Sequence, residues 1–147
     1  MRKSVCVSLM ALSLVASILS AAPASAKSVD GLRALIPFDF NVGDKTIPAG
    51  EYAVKTMSDN GVALRIRSAD GREGATVLTS AKQAGPNSEA SPRLVFHKYG
   101  DQYFLAAVWG DDENGRALPE SERERSLRRE TQVAGNARME TVTVAAR

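Results

Sequence analysis

The 147-residue chain has one cysteine, Cys6, and one histidine, His97. Cys6 lies in an N-terminal segment that we expect to be removed, so the mature chain has no thiol for a disulfide or a catalytic thiolate. A zinc site needs several nitrogen or sulfur ligands, and His97 would be the only one. We therefore predict no metal site, no cofactor and a fold that is stabilised by packing alone.

The first 26 residues have the pattern of a signal peptide. Arg2 and Lys3 give a positive start, residues 5–22 are apolar, and Ala24-Ser25-Ala26 has the small side chains of a cleavage site. We expect cleavage between Ala26 and Lys27, followed by export to the periplasm or the medium. The alternative is an uncleaved membrane anchor, but the apolar run is close to the shortest that spans a bilayer and contains serines. We predict no stable membrane anchor in the mature chain.

The mature chain has no excess of either charge. The full chain has 19 basic and 17 acidic residues, and its formal net charge of +2 comes from Arg2 and Lys3. No acidic residue precedes Lys27, so removal of the leader leaves a formal balance of zero. A nucleic-acid-binding protein needs a basic excess or a basic stripe to displace counterions. We therefore predict no nucleic-acid partner.

Residues 93–109 form the densest run of β-branched and aromatic residues, and Gly100-Asp101 interrupts it once. This pattern predicts a β-hairpin with a type II′ turn. The predicted cross-strand pairs are Tyr99–Gln102, Lys98–Tyr103, His97–Phe104, Phe96–Leu105, Val95–Ala106 and Leu94–Ala107. The pairing predicts one face with Leu94, Phe96, Leu105 and Trp109, and a second face with Val95, His97, Phe104 and Val108.

Both predicted faces of this hairpin are largely apolar, whereas a strand with one wet face alternates apolar with polar residues. We therefore expect the hairpin to lie in the middle of a sheet, with one face in the core. The cover of the second face is open between another sheet, the charged segment downstream and a second copy of the chain.

Shorter alternating segments predict further strands at 35–42, 51–56, 62–67 and 75–79, with a loop at 82–92. Short strands separated by turn residues are typical of antiparallel sandwiches and barrels. We predict a mainly all-β domain over 35–130, a small antiparallel sandwich or barrel of six to seven strands. A polar lead-in over 27–34 precedes it.

One charged C-terminal helix is predicted at 119–130, with Pro119 in its first turn and an ion pair between Glu124 and Arg128. Its polarity places it on the surface, where Leu118, Leu127 and Val133 would attach it. The tail over 131–147 includes a possible edge strand at 139–145.

Four segments of the chain carry a resemblance: IPFDFNVGDKTIPAGEYAVK, LRIRSADGREGATVL, RLVFHKYGDQYFLAAVW and ALPESERERSLRRE. Together they resemble a group of small exported bacterial proteins of unknown function. That group shares an FDF-VG-K-PAGEY opening, an FH-YGD-YFL-VW middle and a charged LP-S-RER ending. The resemblance covers residues 35–130. It implies a small β-rich fold and export, and it implies no activity, cofactor or functional residue.

His97 is the candidate catalytic base or metal ligand. A Ser-His-acid arrangement would need a serine beside it, and the sequence has no nucleophile-elbow motif. The alternative role is a strand residue stacked against Phe104, and we favour that role.

Acidic residues offer two further candidate sites. Asp111-Asp112-Glu113-Asn114 supplies oxygen ligands for calcium, but Gly110 and Ser121 stand where an EF-hand loop needs Asp and Glu. We therefore interpret this segment as a solvated loop. Asp39 and Glu51 are conceivable glycosidase carboxylates, but strand spacing gives that pairing no support.

Arg65, Arg67 and Arg72 are conceivable anion ligands. Glu73 lies beside them in sequence and opposes their charge. We therefore predict a solvated, salt-bridged face here.

The candidate binding residues are aromatic: Tyr99, Tyr103, Phe104 and Trp109. They would form a platform for a sugar or a peptide. Large aromatic side chains dominate burial in small β domains, so we expect most of them in the core.

Three functions are considered, and the absence of a catalytic constellation favours the first. It is an exported non-enzymatic β domain, an interaction or envelope-associated protein that acts through a homodimer or an envelope protein partner at the hairpin face. This hypothesis requires a large exposed apolar patch or a dimer. The alternative is a small-ligand-binding β-barrel lined by the same aromatic residues. The third is an envelope hydrolase that uses His97.

Overall fold

The computed structural model describes residues 31–85, 90–111, 114–134 and 139–147. The predicted signal peptide and its cleavage site at Ala26 and Lys27 lie outside these residues. In chain order the elements are β1 (Leu32–Ile36), β2 (Phe40–Val42), β3 (Lys45–Ile47), β4 (Gly50–Thr56), β5 (Ala63–Ser68), β6 (Gly74–Leu78), β7 (Ser80–Gln83), β8 (Arg93–Tyr99), β9 (Gln102–Trp109), β10 (Asn114–Ala117), α1 (Glu122–Ala134) and β11 (Glu140–Ala145).

These elements confirm the mainly all-β fold with one C-terminal helix, and they decide between its two architectures. The strands form two sheets that do not close into a barrel in the described part of the chain, which is consistent with a sandwich. The described residues contain eleven strands rather than the six to seven predicted. Short strands β3, β7 and β10 account for much of the difference, because none of them carries an alternating apolar pattern.

The smaller sheet has the strand order β1-β4-β5-β6, and its neighbouring strands are antiparallel. Its inner face carries the alternating apolar residues of the sequence, such as Val54, Leu64 and Ile66, which are fully buried. Its outer face carries the residues between them, including Arg65 and Arg67, which are exposed. The sheet therefore has one dry face and one wet face.

The larger sheet has the order β11-β8-β9-β10-β7, and β2 joins β9 in parallel while β3 pairs with β2. The predicted hairpin is confirmed as β8 and β9, and both strands have neighbours on their other sides. Gly100 has φ +58°, the left-handed value that the first central position of a primed hairpin turn requires.

The hairpin register is correct near the turn and wrong beyond Phe96. Phe96 pairs with Leu105 as predicted, but Val95 pairs with Ala107, and Ala106 has no partner on β8. The Ala106 carbonyl instead accepts a hydrogen bond from the Leu118 amide, 2.9 Å away. This β-bulge reverses the facing of every later residue, because side chains alternate along a strand.

The bulge exchanges the predicted places of the last two residues. Val108 is opposite Leu94 and joins the core, whereas Trp109 is opposite Arg93 on the outer face.

Phe40 lies where the two sheets meet. Its ring centroid is 5.2 Å from that of Tyr52 on β4 and 5.5 Å from that of Phe96 on β8, and both contacts are edge-to-face. Phe38 packs edge-to-face on Phe96 at 5.2 Å. An aromatic cluster from three elements thus connects the sheets.

The predicted polar lead-in is wrong at its end. Leu32, Ala34 and Ile36 are buried and alternate with exposed residues, so β1 begins at Leu32 rather than at residue 35. The clean alternation was present in the sequence, but Arg33 made the segment look polar. This correction places Arg33 on the outer face of the smaller sheet.

Helix α1 begins at Glu122, later than predicted. Ser121 is its N-cap, because the Ser121 Oγ accepts a hydrogen bond from the Glu124 amide at 3.1 Å. Leu118 is buried, but Val133 is 89% exposed and does not attach the helix. The tail forms β11 at the edge of the larger sheet, beside β8.

Candidate functional site

The four candidate aromatic residues do not converge on one platform. Tyr99 and Phe104 contact each other on the outer face of the hairpin, with ring centroids 6.0 Å apart. Tyr103 points to the opposite face, where it stacks on Phe38 at 3.8 Å. Trp109 lies at the far end of β9, with the Arg93 guanidinium 4.9 Å above its ring.

The outer face of the hairpin is closed by its own chain. Tyr99, Phe104 and Trp109 are 3%, 2% and 6% exposed. Gly115 of β10 lies against the indole, since a Cβ at that position would be 2.6 Å from the Trp109 Cε3. The predicted homodimer or envelope partner surface on this face therefore loses its basis, because a docking surface has to be accessible.

Helix α1 closes the other end of this face through a buried carboxylate. Glu124 is 3% exposed, and its Oε1 lies 2.8 Å from the His97 Nδ1. The Tyr99 hydroxyl donates to the same oxygen at 3.5 Å. The charged segment downstream, one of the three predicted covers, thus contacts the second face of the hairpin.

His97 is tied to the fold by this contact. A carboxylate on Nδ1 also orients the histidine of a hydrolytic triad, but a triad needs a nucleophile on the other nitrogen. Within the described residues the imidazole is hydrogen-bonded to Glu124 and to no serine or threonine. His97 and Phe104 are cross-strand partners as expected, and the imidazole also contacts the Glu124 carboxylate.

The burial of Tyr99 beside Glu124 shifts the pKa of its hydroxyl. Burial, reinforced by the negative charge of Glu124, raises the pKa of Tyr99 from 10.0 to about 12. A tyrosine stays neutral longer in the folded state than in the unfolded state when its pKa is raised. Its contribution to stability is complete below pH 10 and is lost as the pH rises towards 12.

We therefore predict that the free energy of unfolding falls between pH 10 and pH 12, and that Tyr99→Phe makes the fall shallower. Urea denaturation across this pH range measures the slope. Tyr103→Phe is the matched control and should retain the wild-type slope, because it leaves Tyr99 in place. An unchanged slope in Tyr99→Phe would contradict the assignment.

The outer face of the smaller sheet carries a cationic groove of about 410 Å³. Four basic side chains line it, Arg33, Lys55, Arg65 and Arg67, together with one acidic residue, Glu51. The strand register explains the clustering. Lys55 and Arg65 are direct cross-strand partners, and Arg33 and Arg67 flank Ala53 in one row across β1, β4 and β5.

Glu73, the acidic residue predicted to neutralise this face, is engaged elsewhere. Glu73 pairs with Lys45 at 3.4 Å, and Asp70 pairs with Arg72 at 3.9 Å. Within the described residues Arg65 and Arg67 form no ion pair, so the predicted salt-bridged face is wrong for these two arginines and holds for Arg72 alone.

Each cation of the groove has its own surroundings. The Arg67 guanidinium donates to the Gly71 carbonyl at 3.3 Å. In the part of the chain that the structure describes, Arg33 and Lys55 also lack a carboxylate within ion-pair distance. Asp39, the other conceivable glycosidase carboxylate besides Glu51, accepts a hydrogen bond from the Ala49 amide at 2.8 Å. This hydrogen bond stabilises the bend before β4.

We predict that Arg65→Gln raises the free energy of unfolding by about 0.5 kcal/mol at low salt, because like charges that face each other across strands destabilise a sheet. Urea denaturation of the ligand-free protein measures this change, and added salt should reduce it. Arg123→Gln on the exposed face of α1 is the control for the loss of one charge. A less stable Arg65→Gln would show that Arg65 makes a favourable contact in the folded protein.

The described residues contain neither a candidate metal cluster nor a membrane-spanning helix. They contain no group of three or more His, Cys, Asp or Glu side chains placed to hold a metal ion. Asp112 and Glu113 of the conceivable calcium loop lie outside them. No helix among them combines the length and the apolar character needed to cross a membrane.

Comparison of the chain with protein-family models, curated proteins and solved structures finds no match.

Proposed function

We propose that this protein is an exported, non-enzymatic β-sandwich that binds an anionic component of the cell envelope on the outer face of its smaller sheet. The observation that carries the proposal is the cationic groove, where four basic side chains meet one carboxylate. Its volume is within the range of ligand sites. Unpaired charges of one sign on a concave surface attract ligands of the other sign.

The closed hairpin face supports this choice of surface. The aromatic residues that would have formed an apolar binding patch on this face are buried by α1 and β10: Tyr99, Phe104 and Trp109. The binding surface of the first hypothesis is therefore moved from the hairpin to the smaller sheet. The export part of the proposal depends on the signal-peptide pattern of residues 1–26.

The two other hypotheses have less support. A ligand inside a barrel has no place here, because the strands form two sheets rather than a closed barrel in the described residues. A hydrolase would need a nucleophile at the other ring nitrogen of His97, and the described residues place no serine or threonine in hydrogen-bond contact with the imidazole. Loss of a hydrolytic activity in His97→Ala, with the fold retained, would revive the hydrolase.

Sedimentation of the purified protein with an envelope preparation tests the proposal. The double variant Lys55→Gln/Arg65→Gln should bind at least tenfold more weakly than the wild type, because two charge-assisted contacts are removed. Arg123→Gln/Arg129→Gln removes the same charge from α1 and should bind like the wild type. Equal binding by all three proteins would contradict the assigned surface, and no binding by the wild type would contradict the function.

A further inference from the structure

We infer that the group recognised in the groove is a phosphate, carried on a small organic molecule or on a lipid. This inference rests on the proposed function and adds the chemistry of the ligand.

The groove contains a pair of adjacent cations, Lys55 and Arg65. They are direct partners on neighbouring strands, which are about 4.8 Å apart, so the two positively charged side chains leave the sheet next to each other. Such a pair is unfavourable unless an anion lies between the two groups. An anion with more than one charge compensates both at once, and a phosphate monoester has a charge of about −1.5 to −2 near neutral pH.

A row across β1, β4 and β5 contains Arg33, Ala53 and Arg67 in that order. The two arginines stand two strand spacings apart, about 10 Å between their backbones. The short side chain of Ala53 leaves an open floor between them. The Arg67 guanidinium lines the groove while it donates to the Gly71 carbonyl at 3.3 Å. A guanidinium offers paired N–H donors that match the oxygens of a phosphate.

The ends of the groove give the ligand a direction. Glu51 lies at the end beside Leu35 of β1 and repels an anion, so it favours the Lys55 and Arg65 end for the phosphate. Met57 lines the groove just after β4 and is 48% exposed. Its thioether offers an apolar contact to the organic part of a ligand.

The volume indicates that the phosphate is not a free ion. The groove of about 410 Å³ has room for an attached organic group, because sites for small organic molecules begin at about 300 Å³. A single carboxylate would balance only one of the four cations. The groove therefore fits a phosphate ester better than a carboxylic acid of the same size.

Backbone amide NMR of the purified protein tests this inference with three soluble probes at matched ionic strength: inorganic phosphate, phenyl phosphate and benzoate. We expect saturable shifts in β4 and β5 with both phosphates, and severalfold tighter binding of phenyl phosphate because its ring contacts Met57. Lys55→Gln/Arg65→Gln should weaken phenyl phosphate at least tenfold. Arg123→Gln/Arg129→Gln should leave its affinity unchanged.

Vesicles identify the source of the phosphate. Binding to phosphatidic acid in phosphatidylcholine, but not to phosphatidylcholine alone, would support a lipid headgroup if the groove variant abolishes it, because phosphatidic acid carries a phosphate monoester. Binding of phenyl phosphate without vesicle binding would support a soluble ester.

Two results would overturn the inference and leave the proposed function standing. One is a groove that responds to benzoate as strongly as to phenyl phosphate. The other is a groove that is silent to every probe, vesicles included, while envelope binding still depends on Lys55 and Arg65. Failure of the proposed function is different, since the wild-type protein would then not sediment with the envelope at all.

Discussion

Glu124→Ala is expected to lower the free energy of unfolding by about 3 kcal/mol, because it leaves His97 and Tyr99 without their buried partner. The carboxylate accepts from both side chains and also lies in the first turn of α1, where negative charge is favourable. Urea denaturation at neutral pH measures the loss. Far-ultraviolet circular dichroism should show that the strands persist in the variant.

Glu122→Ala is the matched control, since Glu122 is the same residue type in the same helical turn. Its side chain is exposed and pairs with Arg125 and Arg129 on the surface. Surface ion pairs contribute about 0–1 kcal/mol, so the control should lose less than 1 kcal/mol. Similar losses in the two variants would mean that the Glu124 contact does not connect α1 to the hairpin.

Phe96→Ala is expected to cost about 3–5 kcal/mol, the usual cost of emptying a buried phenyl site. Phe96 is fully buried and packs edge-to-face on Phe38 and Phe40, so its removal opens a cavity between the sheets. Denaturant unfolding measures this change.

Val95→Ala is the control for Phe96→Ala, because Val95 precedes Phe96 on β8, points to the opposite face and is itself only half-buried. We expect it to lose about 1 kcal/mol. A loss of stability from Val95→Ala as large as that from Phe96→Ala would contradict the assignment of the main core to the Phe96 face of the hairpin.

The sequence predicted the hairpin because its signals are local. Gly100-Asp101 marks the turn, and the apolar residues on both sides mark the strands. The bulge at Ala106 was missed because it depends on a tertiary contact, the hydrogen bond from the Leu118 amide. No residue type near Ala106 signals an inserted position, so the facing of Trp109 could not be predicted.

The groove was half predicted for a similar reason. Arg65 and Arg67 stand on the wet face of an evident strand, so they were correctly placed. Arg33 and Lys55 join them only through the order β1-β4-β5, which the sequence does not state. Glu73, expected to neutralise the arginines, pairs with Lys45 of β3 across another turn.

The role of Glu124 was predicted wrongly, although the sequence contains a signal for its position in the helix. Ser121-x-x-Glu124 is the pattern of a capping box, which marks Ser121 as N-cap and Glu124 as the third helical residue. It would have predicted the helix start at Glu122. It would not have predicted that the carboxylate turns to His97, or that Arg128 pairs with Glu120 at 3.3 Å instead of with Glu124.

Hydrogen exchange of the purified protein, with and without an envelope preparation, locates the surface that binds the envelope. We expect the partner to slow exchange in peptides from β4 and β5, which carry Lys55, Arg65 and Arg67. Peptides from β8, β9 and α1 should exchange at the same rate in both samples, because the hairpin face is already closed. Slower exchange in the hairpin and α1, with β4 and β5 unchanged, would contradict the account.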